Sequence, residues 1–262
     1  MHFPRLLSFV LAASLLIPTA APQTTSPQAV QYLQRALAAL SGSTPTTDVT
    51  LSGTARRIAG SDNETGTATL KAIVGASRID LNLSLGPRSE IQNTMGTSPG
   101  GKWSGPNGVF HAISYHNLLL IDPAWFFPAF PISRGASAGY IASYVRHETR
   151  DGQAVEHLTI SQTSAAQSPR GAAQIAHLSQ MDFFLDSTTF LPVAATFNIH
   201  PDDNASLDVP IEVRFSDYHA VNGAQVPFHV QKFLNNGLVL DLQFATAAVN
   251  TGLAASQFRV GE

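Results

Sequence analysis

His147 and His157 flank an Arg150-Asp151-Gly152 turn, with Glu148 and Glu156 beside them. Imidazole and carboxylate together are the chemistry of a divalent-metal site, but two histidines need a third ligand from elsewhere in the chain. The same residues are equally suited to cross-strand polar pairs on the wet face of a hairpin. Asp182 and Asp186 are spaced closely enough for a carboxylate pair, the arrangement used in general acid–base chemistry. Asp186-Ser187-Thr188-Thr189 is also what a side-chain-capped turn needs, and Asp217-Tyr218 fits a strand end with a packed ring. Trp103 and Trp125 have rings that can stack on a sugar or fill a core. His111, His116, His177, His200, His219 and His229 stand singly, and none makes the His-Glu-x-x-His spacing that puts two ligands on one helix face. Cysteine is absent, so there is no thiol nucleophile. The glycines around Lys102-Trp103 lack the Gly-Lys-Ser/Thr ending of a phosphate loop. No catalytic residue, metal site or cofactor is assigned, and the chain is not read as an enzyme.

The elements that would position a ligand come into view along the chain. Residues 1–22 have the layout of a secretory signal peptide: Arg5, the apolar run Leu6 to Ile17, and a small-residue region through Pro22. The apolar run is too short for a relaxed membrane span, which needs about 20 residues. With no cysteine there is neither a lipid-anchored residue nor a disulfide framework. The expectation is an exported protein, periplasmic or secreted, with no integral membrane span in its mature form. With 15 Lys and Arg against 18 Asp and Glu and no block of like charge, nucleic acid is excluded as the main partner.

Residues 23–47 read as a leader and one amphipathic helix. Ser26-Pro27 is an N-cap with proline at the first helical position, Val30, Leu33, Leu37 and Leu40 form the stripe, and Ser41-Gly42 ends it. Residues 48–262 read as a single domain of strands. Val49, Leu51 and Ala55 alternate with polar residues, and Ile79, Leu81, Leu83 and Leu85 oppose Arg78, Asp80, Asn82 and Ser84. Val226, Phe228 and Val230 share one face, as do Leu238, Leu240, Leu242 and Phe244. Asp151-Gly152, Asn222-Gly223 and Asn235-Asn236-Gly237 mark hairpins. Thr163 to Ala173 reads as a surface loop. The segment from His116 to Pro131 is apolar on all sides and carries prolines, so it is neither an ordinary helix nor a central strand. A short helix or two beginning near Asp122-Pro123 and tucked into the sheet is expected there.

The run Met181 to Pro192, then Phe215-Ser216-Asp217-Tyr218, Val221-Asn222-Gly223, Val226-Pro227 and a terminal Val249-Asn250 with Phe258, resembles the C-terminal half of the LolA/LolB-like periplasmic lipoprotein-carrier superfamily. The resemblance implies an α+β fold, a strongly curved antiparallel β-sheet forming an unclosed half-barrel wrapped over a few helices. It also implies an apolar cavity between them, which carriers of this group use for acyl chains, and a helix-latching arginine for which Arg56 and Arg57 are the candidates.

The resulting expectation is a binding protein whose apolar cavity takes a lipid, an acyl chain or a lipidated partner. The candidate lining is Ile79, Leu81, Leu83, Trp125, Phe126, Phe127, Phe130, Phe228, Val230, Leu240 and Leu242. The alternative is a periplasmic protein-interaction or envelope-sensing module whose cavity is fully packed and whose loops bind. Polar groups lining the concavity would count against the first reading.

Overall fold

The alternating segments form thirteen strands, as seen in a computed structural model that describes residues 25–96, 99–164 and 168–261. The leader expected at 1–22 lies outside the described residues. The strands are β1 (Asp48–Ala59), β2 (Asp62–Ile73), β3 (Ala76–Leu83), β4 (Gly86–Asn93), β5 (Gly100–Ser104), β6 (Phe110–Ala112), β7 (Tyr140–Arg150), β8 (Gln153–Gln162), β9 (Met181–Asp186), β10 (Pro192–Ile199), β11 (Val209–Val221), β12 (Ala224–Leu234) and β13 (Gly237–Val249). They make one antiparallel sheet in the order β6-β5-β4-β3-β2-β1-β13-β12-β11-β10-β9-β8-β7. The first and last strands pair at its centre, Val49 against Val249, so the free edges are β6 and β7. The sheet does not close, and the chain between its two edges is the apolar, proline-containing segment. This is the α+β unclosed half-barrel that the resemblance implies.

Three hairpin turns follow from residues that accept positive φ. Asp151-Gly152 (50° and 84°), Asn222-Gly223 (48° and 84°) and Asn235-Asn236 (47° and 64°) each put two left-handed residues between paired strands, which matches the strands' right-handed twist. Two close approaches need glycine for want of space. A Cβ on Gly53 would lie 2.0 Å from the Gln243 carbonyl oxygen, and one on Gly66 would lie 1.9 Å from that of Asn82.

Helix α1 (Pro27–Ser41) begins where Ser26 Oγ accepts the Ala29 N–H at 3.1 Å. The same entry segment covers edge strand β7: Ser26 N–H donates to the Ala142 carbonyl, and Ala142 N–H donates to Thr25 Oγ1. The buried stripe is Ala29, Leu33, Ala36 and Leu40. Val30, expected in that stripe, is 40 % exposed, because the helix turns its two alanines to the sheet and rotates the larger side chain to the rim.

Between the edges, a 3-10 turn (Tyr115–Leu119) leads to α2 (Ala129–Gly135). The helix therefore starts at Ala129 and not near Asp122-Pro123. Asp122 is instead a wholly buried carboxylate that accepts Gly75 N–H at 2.7 Å and Ala124 N–H at 2.9 Å, with Arg134 Nη1 at 3.6 Å. Phe126, Phe127, Phe130 and Ile132 are buried in the same cluster as α1 and the inward faces of the strands.

Three other expectations change. The chain after Thr163 is not all loop: Ser168 caps α3 (Pro169–Ser179), whose proline-first start repeats that of α1. Leu85 is 58 % exposed, since β3 ends at Leu83 and Leu85 sits in the turn. Asp217-Tyr218 is not a strand end: β11 runs on to Val221, with Asp217 held at φ 53°.

Candidate functional site

An open cleft of about 840 Å³ lies among the turns joining β1 to β2, β5 to β6 and β12 to β13. In an antiparallel array those turns fall at one end of the strands. Its walls are mainly apolar: Ile79 and Leu81 of β3, Leu238 and Leu240 of β13, Ile199 at the end of β10, and Trp125 from the segment between the sheet edges. Leu81 stands opposite Arg88 in the β3–β4 register and Ile79 opposite Glu90, so these side chains share the inward face.

Of the expected lining, the structure brings Ile79, Leu81, Leu240 and Trp125 to this cleft. Leu83, Phe126, Phe127, Phe130, Val230 and Leu242 are buried in the core cluster, and Phe228 is half-buried with its ring 4.7 Å from that of His219. The aromatics of the inserted segment thus fill the sheet's concavity, leaving one indole at its mouth.

The cleft also holds charge, with Arg57, Arg88, Glu90 and Lys232 in its lining, where an apolar lining alone was expected, and this counts against a guest that is apolar throughout. Lys232 continues the inward parity of β12 and puts its ammonium 4.5 Å from the centroid of the Trp125 ring. Burial holds its pKa below the usual lysine range, against the pull of the nearby Glu90 carboxylate. Glu90 itself accepts a hydrogen bond from Gln92 Nε2 at 2.8 Å. Beside it, Arg57 Nη1 (2.8 Å) and Arg88 Nη2 (2.6 Å) both donate to Glu64 Oε1, while Glu64 Oε2 and Arg88 Nη1 are buried without partners. Three cations thus face two carboxylates, Glu64 and Glu90. Trp103, 43 % exposed and stacked on His111 at 4.7 Å, forms part of the outer wall.

The candidate latch arginines do not reach a helix. Arg57 bonds Glu64, and Arg56 Nε donates to Asn63 Oδ1 at 2.9 Å, both on the neighbouring strand. The inserted segment is pinned instead by Asp122 and Arg134 at the β2–β3 turn and by Asn117 on the His200 backbone.

The polar groupings read from sequence resolve into local structure. Asp186 Oδ1 accepts Thr188 N–H, Thr189 N–H and Thr189 Oγ1–H, which makes it a turn cap and not half of a carboxylate pair. His147 lies 3.0 Å from Glu156, whereas His157 turns to Asp182 at 2.9 Å, so the two histidines do not converge. A grouping that spacing along the chain does not reveal forms elsewhere: His177 and His200 Nε2 lie 2.9 and 3.0 Å from the same Asp208 oxygen. Gly96-Thr97-Ser98-Pro99-Gly100 spells Gly-x-Ser-x-Gly. That segment joins β4 to β5, and a nucleophile elbow needs a helix to follow it. Residues 97–98 lie outside the described residues. No described helix is long and apolar enough to cross a membrane.

No protein-family profile matches the chain, and a search of curated proteins finds no significant match. Solved structures do match over nearly the whole chain. A candidate outer membrane lipoprotein-sorting protein domain from Vibrio parahaemolyticus is 13 % identical with a TM-score of 0.55, covering 88 % of this chain and 96 % of its own. A LolA superfamily protein from Nitrosomonas europaea is 13 % identical with a TM-score of 0.53, covering 88 % and 97 %. A DUF1329 family protein from Desulfovibrio piger is 10 % identical with a TM-score of 0.54, covering 90 % and 98 %. At these identities the likeness is one of architecture: the chain has the LolA-like fold.

Proposed function

We propose that the cleft binds an amphiphile, an acyl chain carrying an acidic head, and that the protein is a lipid- or lipoprotein-binding protein exported behind the leader at 1–22. The supporting observation is the pairing of an apolar wall (Ile79, Leu81, Leu238, Leu240) with a lysine that rests on an indole and has no salt-bridge partner among the described residues. A wholly apolar guest would leave that ammonium facing hydrocarbon, whereas an anionic head would be paired with it. The volume lies within the range of small-molecule sites, and each buried methylene contributes about 0.8 kcal/mol. About ten buried methylenes correspond to roughly 8 kcal/mol, the scale of micromolar binding before the cost of association is subtracted.

The reading places the mature protein in the periplasm or outside the cell, with a free lipid or the acyl group of a lipidated protein as its partner. It is tested by native mass spectrometry and lipid extraction of protein purified from its own envelope. The expected result is a co-purifying acyl lipid and a thermal upshift with long-chain fatty acids. Lipid-free protein that no acyl ligand stabilises would overturn the reading.

A further inference from the structure

His177, His200 and Asp208 come from three separate pieces of the chain: the last turn of α3, the residue after β10, and the residue before β11. Their ligand-type atoms all lie within 4.8 Å of one another, and no other group of three or more His, Asp or Glu does this among the described residues. Of the other histidines, His147, His219 and His229 each meet one carboxylate, and His157 lies between Glu148 at 3.4 Å and Asp182 at 2.9 Å without a second imidazole joining them.

The geometry is close to that of a coordination face. Tetrahedral ligands held about 2.0–2.1 Å from a zinc ion lie roughly 3.3 Å apart. The two Nε2 atoms are 2.9 and 3.0 Å from Asp208 Oδ1 and within 4.8 Å of each other, so an ion enters by replacing these two hydrogen bonds as the half-exposed Asp208 carboxylate shifts aside. His200 is fixed: its N–H donates to Asn117 Oδ1 at 2.9 Å, and its carbonyl accepts from Asn117 Nδ2 at 2.8 Å. Its side chain is 1 % exposed and its Nδ1 has no partner, so Nε2 is the atom through which the ring engages anything. His177 and Asp208 are 47 % and 40 % exposed, which leaves an entry path and room for a further ligand from solvent. Two imidazoles with one carboxylate and no thiolate suit borderline divalent ions such as Zn²⁺, Ni²⁺ or Cu²⁺ over Mg²⁺ or Ca²⁺.

We propose that His177, His200 and Asp208 bind one first-row divalent metal ion, which ties α3 to the β10–β11 connection. The site is independent of the cleft and does not rest on the lipid reading.

The test is calorimetric titration of the chelator-treated full chain with Zn²⁺, beside His177→Ala, Asp208→Ala and the control His219→Ala. One ion per chain is expected, with His177→Ala and Asp208→Ala each weakening binding by more than the ~10–100-fold of a lost supporting partner and His219→Ala leaving it unchanged. Should Asp208→Ala fail to fold, His177→Ala decides, because its side chain is half exposed. A second readout is the imidazole nitrogen NMR spectrum, in which zinc should displace two Nε2 signals that are absent from the displaced set in His177→Ala. No stoichiometric binding, or equal affinity in wild type and His177→Ala, would overturn the proposal.

Discussion

The Lys232 ammonium lies 4.5 Å from the centroid of the Trp125 indole, which joins strand β12 to the inserted segment at the mouth of the cleft. The indole face, together with the nearby Glu90 carboxylate, stabilises a cation that burial otherwise disfavours. Most of the expected aromatic lining became core, so this pair is where the segment between the sheet edges meets the proposed ligand.

Narrowing the cleft should weaken ligand binding without unfolding the protein. Leu238 lines the cleft and is only half-buried, so Leu238→Trp occupies ligand volume while adding little strain to the core. Fatty-acid affinity measured by fluorescent-probe displacement should fall, and the melting temperature should stay within a few degrees of wild type. Unchanged affinity would place the chain elsewhere.

Glu64 is fully buried between two guanidinium groups. Glu64→Gln removes the charge that both Arg57 and Arg88 pair with, leaving cations in a poorly hydrated site. Breaking a buried pair in this way costs about 3–5 kcal/mol, with Arg57's partial exposure favouring the lower end. Urea denaturation should show that loss; a change below about 0.5 kcal/mol, the range of ordinary surface substitutions, would contradict it.

Burial pushes Asp122 from 3.8 up to about 6, with Ala124 N–H, Arg134 and Gly75 N–H pulling the other way. Its folded pKa is raised, so its contribution to stability is complete below about pH 4 and is lost as pH rises through 6. The size is on the order of 3 kcal/mol. Asp48, Asp182, Asp186, Asp208 and Glu212 are shifted down and lose stability as pH falls, so the whole-protein curve mixes both slopes. The unfolding free energy of wild type minus that of Asp122→Asn isolates the one group. That difference should decline between pH 4 and 7; a flat line would contradict the assignment.

Gly66→Ala forces a Cβ to 1.9 Å from the Asn82 carbonyl oxygen, a backbone atom with little freedom to retreat. The β2–β3 ladder must open there, at a cost at or above the ~1–3 kcal/mol typical of overpacking. Gly152→Ala, where a Cβ meets nothing within 4 Å, pays only for its left-handed φ of 84°. Thermal unfolding should rank Gly66→Ala well below Gly152→Ala, and the reverse order would contradict the register described for β2 and β3.

The sheet was legible because its inward residues repeat every second position: Ile79, Leu81, Leu83 and Leu240, Leu242, Phe244 are where that period puts them. The sites were less legible, for physical reasons. Lys232 shares parity with Val226 and Val230, so its inward direction could be read, but a lysine in an apolar row looks like a strand end until Trp125 is placed over it. Asp208 is 31 residues from His177 and 8 from His200, and only the folding of α3 against the β10–β11 connection brings them together. Helix α3 itself carried a readable signal, Ser168-Pro169, the same start as Ser26-Pro27. Its short alanine-rich stripe hid it among loop residues. The aromatic segment showed its burial in its composition but not which rings would face a ligand, since that depends on how the sheet curves around it.

The account turns on whether the cleft reads both ends of an amphiphile. The most direct measurement compares the affinities of a long-chain fatty acid and the fatty alcohol of equal length, for wild type and for Lys232→Gln. The account predicts that wild type prefers the acid about ten-fold, the 1.4 kcal/mol expected of one charge-assisted contact, and that Lys232→Gln binds the two alike at the alcohol's affinity. Equal binding of acid and alcohol by wild type, or an acid preference that survives in Lys232→Gln, would contradict it.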